Sequence, residues 1–136
     1  MKNIVSRLLI AIVVIVVSVA AQAQNSTILR ADVPFDFMIG QHQLTSGTYT
    51  VRSIASEIDA WYNGQGQSLF VMRTIPAGKM DSANTCKLVF HRYGDEYFLS
   101  ELWSQGSSHE VPVTKREKRL AQLQPSETIA LVLQPQ

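Results

Sequence analysis

Cysteine is almost missing: Cys86 is the only one in 136 residues, so no disulfide can form within the chain and its stability rests on packing. Leu88 and Phe90 follow Cys86 at alternate positions, which predicts an inward-facing thiol. No positive neighbour at turn or cap spacing favours its thiolate. Charge of one sign is missing too. Lys and Arg number 12 and Asp and Glu 11, without the basic surplus of a nucleic-acid binder, so no nucleic-acid partner is expected. No P-loop, GxGxxG, GxSxG or CxxC pattern occurs, which leaves phosphate-loop, dinucleotide, acyl-transfer and thioredoxin-like chemistry without support. His42, His91 and His109 stand far apart, none at HxH, HxxxH or HxxE spacing, so neither a metal site nor a cofactor is expected. His42 and His109 read as exposed loop residues.

No apolar run reaches the roughly 20 residues that span a bilayer as a helix. A shorter run is present at the start of the chain. Lys2 and Arg7 give it a positive beginning, Leu8 to Ala21 is 14 residues without a charge, and Ala21-Gln22-Ala23 supplies small residues just before a cut. That order predicts a secretory signal peptide over residues 1–23, cleaved between Ala23 and Gln24. Residues 24–136 are then a single exported domain, periplasmic or extracellular, with 10 basic residues left against 11 acidic. No cysteine follows the apolar run to carry a lipid anchor.

The rest is short β-prone runs broken by Gly, Asn, Asp and Pro. "ILRADVPFDFMI" (28–39) alternates at first and carries Pro34, which cannot donate to a sheet ladder and marks an edge or bulge. "LTSGTYTVRSI" (44–54) is a turn followed by a strand with Tyr49, Val51 and Ser53 on one face. Asn63-Gly64 predicts a two-residue type I′ hairpin between a strand ending at Tyr62 and one running from Gln65 to Thr74. Residues 76–84 and 104–110 read as polar loops. "TIALVLQ" (128–134) is uninterrupted rather than alternating, which predicts an interior strand covered on both faces. Seven or eight such strands with one late helix predict an all-β domain: a single antiparallel β-sandwich or small β-barrel.

The densest stretch is "KLVFHRYGDEYFLSELW" (87–103). A two-residue turn at Gly94-Asp95 pairs Tyr93 with Glu96, Arg92 with Tyr97, His91 with Phe98 and Phe90 with Leu99. One face then holds Cys86, Leu88, Phe90, Tyr97, Leu99 and Trp103. The other holds Val89, His91, Tyr93, Glu96, Phe98 and Leu102. His91, Tyr93 and Glu96 form a candidate surface, and His91 with an acidic partner is the one arrangement that suggests a hydrolase. No nucleophile or orienting third group accompanies them, so no catalytic residue is assigned.

One segment reads as a helix. Thr114 to Glu117 is a capping box, in which the Thr oxygen and the Glu carboxylate each satisfy an orphaned backbone N–H. Pro125 stops the helix, and Leu120, Ala121 and Leu123 are the residues left to pack inward. Lys115, Arg116, Lys118 and Arg119 make this helix cationic. Such a helix suits either solvent or an anionic membrane surface.

Taken together, "ADVPFDFMIGQHQLTSGTYTV" (31–51), "KLVFHRYGDEYFLSELW" and "VPVTKREKRL" (111–120) resemble a family of small exported proteins of soil bacteria with no assigned function. Its pattern runs VPFxFxxGxxxLPAGxYxV, then KLVFHRYGDxYFLSxIW, then a basic-acidic helix. This chain departs at Thr45-Ser46, where Pro-Ala is usual, and at Leu102, where Ile is. The resemblance implies export and a β-rich fold and carries over no catalytic residue. A non-catalytic binding or structural module of the cell envelope or exterior is the expected role, with an envelope component or small ligand as its partner.

Overall fold

A computed structural model describes residues 27–135, so the expected signal segment and the expected cut between Ala23 and Gln24 lie outside the described residues. Twelve strands form two sheets: β1 (Ile28–Val33), β2 (Phe37–Ile39), β3 (His42–Leu44), β4 (Gly47–Ala55), β5 (Ile58–Asn63), β6 (Ser68–Arg73), β7 (Ile75–Met80), β8 (Lys87–Tyr93), β9 (Glu96–Ser104), β10 (Ser107–Glu110), β11 (Glu127–Val132) and β12 (Gln134–Pro135). The helix α1 (Lys115–Leu123) lies between β10 and β11. The first sheet has the order β12-β1-β4-β5-β6 and the second β11-β8-β9-β10-β7, with the β2–β3 hairpin joined to β9. The pairs are antiparallel except at Met38, which pairs with Phe98 in parallel. With two sheets and free edges, the molecule is a sandwich and not a closed barrel.

The chain changes sheet at particular residues. Pro34 ends β1, and β2 starts in the other sheet. Thr74 carries β6 into β7, its amide donating to the Glu57 carbonyl at 2.9 Å. Leu133 carries β11 into β12, its amide donating to the Cys86 carbonyl at 2.8 Å. Between the sheets pack Leu29, Val51 and Trp61 from one side and Phe37, Ile39, Leu88, Phe90 and Leu99 from the other. Phe37 meets Tyr49 and Phe90 edge-on at 5.5 and 5.4 Å, the geometry that the quadrupole of an aromatic ring favours. Cys86 is buried, as alternation predicts.

The β8–β9 register agrees with the sequence reading at its four turn-proximal pairs and then shifts. Gly94 alone of the two turn residues has positive φ, the pattern of a type II′ turn. A bulge between Val89 and Phe90 on one strand and Leu99 and Glu101 on the other leaves Ser100 without a cross-strand partner. On β9 the side chains beyond it change face: Leu102 joins the core, and Trp103 does not.

Other expectations are corrected by local chemistry. The loop after Asn63 is not a two-residue turn, for β6 begins only at Ser68. The Asn63 side chain organises it, accepting from the amides of Gln65 and Gln67 at 3.1 and 2.8 Å, and the positive φ falls on Gly66. Positive φ at both central residues, as a type I′ turn requires, occurs instead at Gln105-Gly106 and folds the expected loop 104–110 into the β9–β10 hairpin. Residues 76–84 contain most of β7, an edge strand that tolerates Pro76 because one side of it is unpaired. β11 is likewise an edge strand, with Val132 75 % exposed, not an interior one.

Candidate functional site

The capping box is half realised. Thr114 caps α1, its hydroxyl accepting from the Glu117 amide at 3.2 Å. The Glu117 carboxylate does not return to the cap but turns down onto the outer face of the second sheet, 5 % exposed. There it accepts the Tyr93 hydroxyl at 3.3 Å, and His91 Nδ1 lies 3.4 Å away. Burial and then the Glu117 charge push the Tyr93 phenol above its ordinary range, which keeps its proton in place to donate. Glu117 and the half-buried Leu120 are therefore the helix's inward residues, while Ala121 and Leu123 are exposed.

The predicted polar residues separate instead of converging. Glu96 pairs with Arg116 from the helix. Arg92 donates to the Gly94 carbonyl at 2.7 Å and reaches Glu127 at 3.5 Å. Glu101 accepts from Lys79 at 2.5 Å and from the Trp103 indole at 2.7 Å. Burial alone would raise the Glu101 carboxyl, but these donors outweigh it and hold its pKa below the ordinary value. His91 and Tyr93 thus share Glu117, whereas Glu96 belongs to a half-exposed ion pair worth about 0–1 kcal/mol. Among the described residues no group of three or more His, Cys, Asp or Glu is placed to hold a metal.

A cleft of about 830 Å³ opens beside this cluster, where the β2–β3 turn, the end of β6 and the chain leading into α1 meet. Positive φ at Gly40 closes the two-residue β2–β3 turn and presents Met38 and His42 to the cleft, with His42 stacked on Phe70 at 4.1 Å. On the helix side, the Val111 amide donates to the carbonyl of the bulged Ser100 at 2.9 Å. The bulge that redirects Leu102 thereby also anchors the approach to α1. Met38, Ile39, Met72, Val111, Pro112 and Val113 make an apolar floor. Arg73, Lys115 and Arg116 stand on the rim, and no Asp or Glu lines the cleft. Arg73 and Arg116 each also reach an acid outside it, Glu57 and Glu96; Lys115 has no ion-pair partner among the described residues. Lys118 and Arg119 are exposed and lie outside the lining.

Lys115 and Arg116 are legible in the sequence as part of a cationic helix. Met38, Met72 and Arg73 are not, because the cleft joins three segments that no local pattern links. No family model, curated protein or solved structure matches the chain.

Proposed function

We propose that the chain is an exported, non-catalytic binding module whose cleft beside α1 takes an anionic amphiphile. The observation that carries this reading is the lining of that cleft: an apolar floor with cations at the rim and no acid. Its volume falls within the range of small-molecule sites, roughly 300–1,000 Å³. The signal-peptide pattern supports export, and the resemblance to small exported proteins agrees with it. Against the hydrolase reading, His91 faces a carboxylate covered by the helix, and its other polar neighbours are engaged in separate ties.

Thermal denaturation with dodecanoate below its micellar concentration tests the reading, with dodecanol and dodecylammonium as controls. A ligand bound only by the folded state at a hundredfold excess over its Kd stabilises by about 2.7 kcal/mol. Stabilisation is expected with dodecanoate alone, and it should weaken in Lys115→Glu, whose side chain is exposed and not needed for folding. Equal effects from all three amphiphiles would refute it.

A second reading has its own support. Leu123, 79 % exposed, shares α1 with the exposed Lys118 and Arg119, a combination suited to an anionic bilayer. Salt-sensitive sedimentation with anionic vesicles, lost in Leu123→Ser, would favour it over the cleft.

A further inference from the structure

β5 places a carboxyl where its alternation calls for an apolar side chain. Asp59 and Trp61, two residues apart, are both withdrawn from solvent, 5 % and 0 % exposed. A buried carboxylate is costly unless it is paired and hydrogen-bonded. What Asp59 has is modest. The Thr74 hydroxyl donates to its Oδ2 at 3.3 Å, Ser53 lies opposite on β4, and His109 faces it from the second sheet. No Lys or Arg joins them.

Asp59 also borders an empty space. A pocket of about 230 Å³ lies between the sheets, where the start of β1 faces the β9–β10 hairpin. Leu29, Val51 and Leu102 give it apolar walls, while Ser53, Ser104 and Ser107 bring hydroxyls. Leu102 is present only because the bulge at Ser100 turned it inward, and the β9–β10 turn that brings Ser107 and His109 here depends on Gly106. A Cβ on Gly106 would stand 2.6 Å from the Asp81 carbonyl oxygen, so this turn admits no larger residue. The second sheet's wall of the pocket is thus held by backbone geometry, the bulge in β9 and the turn at Gly106.

We propose that this pocket is a binding site for a small primary amine, distinct from the cleft beside α1. Its ammonium pairs with the Asp59 carboxylate, and its short apolar body lies on Leu29, Val51 and Leu102. An ammonium has three donors. Asp59 takes one, and the serine hydroxyls around it accept the others. The lining selects this chemistry by what it contains: one carboxyl, no Lys or Arg to attract an anion, and no Phe, Tyr or Trp on which a sugar could stack. At about 30 Å³ per water, the volume is that of roughly eight waters, which limits the ligand to a similar number of heavy atoms.

The site carries a pH dependence. Asp59 and His109 are its titratable lining residues, and Arg73, on the neighbouring β6, is held outside by Glu57. Burial raises the Asp59 pKa, only partly offset by Thr74, His109 and Ser53. Amine binding therefore strengthens as pH rises through the titration of Asp59, which gains its charge. It fades only when the amine itself deprotonates, near pH 10 for an alkylamine.

Titration calorimetry of the purified chain with n-butylammonium, n-butanol and butyrate at about pH 8 tests the site. Saturable binding of butylammonium alone is expected, at least tenfold weaker in Asp59→Asn and weaker in the wild type at about pH 4. Butylammonium binding no tighter than butanol or butyrate, or unchanged in Asp59→Asn, overturns the proposal. Should Asp59→Asn fail to fold, Ser107→Leu decides. Its exposed position tolerates the larger side chain, which would fill the pocket, and binding retained in that variant also overturns the proposal. Lys115→Glu should leave amine binding unchanged, which separates this site from the cleft.

Discussion

The Tyr93 hydroxyl donates to Glu117 Oε1 at 3.3 Å, and this bond ties the helix to the outer face of β8. Glu117 is an acid among four helical cations, in the first turn, where a helix dipole favours negative charge. Tyr93→Phe removes a donor from a buried carboxylate and should cost about 1–3 kcal/mol in denaturant unfolding. His91→Ala, at a side chain 34 % exposed, should cost less than about 1 kcal/mol. If the two substitutions cost the same, the tie through Tyr93 is not what seats the helix.

How far this cluster was legible in the sequence differs residue by residue. The pairing of Tyr93 with Glu96 and of His91 with Phe98 follows from alternation around Gly94, a local signal. That Glu117 and not Glu96 would meet His91 does not, because it depends on a helix 26 residues away choosing the sheet over its own cap. Strands β7 and β10 are not legible in the sequence, because "IPAGKM" and "SSHE" lack β-prone runs; the strands beside them supply the ladder. The edge position of β11 was hidden by its apolar composition, which reads as interior until Leu133 is seen leaving for the other sheet. Asp59 gave no signal at all, since its partners Thr74 and His109 come from the β6–β7 link and from β10.

The Ser100 bulge makes a prediction that an uninterrupted hairpin does not. Leu102→Ala and Phe90→Ala, at positions 3 % and 0 % exposed, should cost about 2–5 and 3–5 kcal/mol respectively. Deleting Ser100 leaves Leu99, Glu101 and Leu102 in continuous alternation on the faces the bulge already gives them, with Leu102 inward and Glu101 outward, and removes only the carbonyl that anchors Val111. The deletion is expected to keep a cooperative thermal transition, at a melting temperature lowered by the loss of the Val111 anchor. A chain that no longer folds without Ser100 would contradict the observed register, because only an unbulged hairpin would have its faces reversed by the deletion.

Export has a direct readout. Cleavage between Ala23 and Gln24 predicts that the intact mass of chain recovered from the cell envelope or medium corresponds to residues 24–136. A mass that retains the apolar run would identify a membrane-anchored form instead.

Asp59 and Glu101 impose opposite slopes on stability against pH. The folded pKa of Glu101 lies below its unfolded value: burial pushes it up, but Lys79 and Trp103 together pull it further down. Its stabilisation is therefore present above the unfolded value of about 4.3 and is lost as pH falls through the lower folded value. The Asp59 pKa is raised by burial, so the sign reverses. Folding holds its proton more tightly than the unfolded chain does, and stability is lost as pH rises from the unfolded value of about 3.9 through the folded one. Thermal unfolding from about pH 3 to 7 separates the two. Asp59→Asn should melt higher than the wild type near neutrality, with the difference shrinking towards pH 3, while Glu101→Gln should melt lower near neutrality and converge with the wild type in acid. A lower melting temperature for Asp59→Asn near neutrality would mean that the charged carboxylate stabilises the sandwich, and that the pocket beside it is not short of a cation.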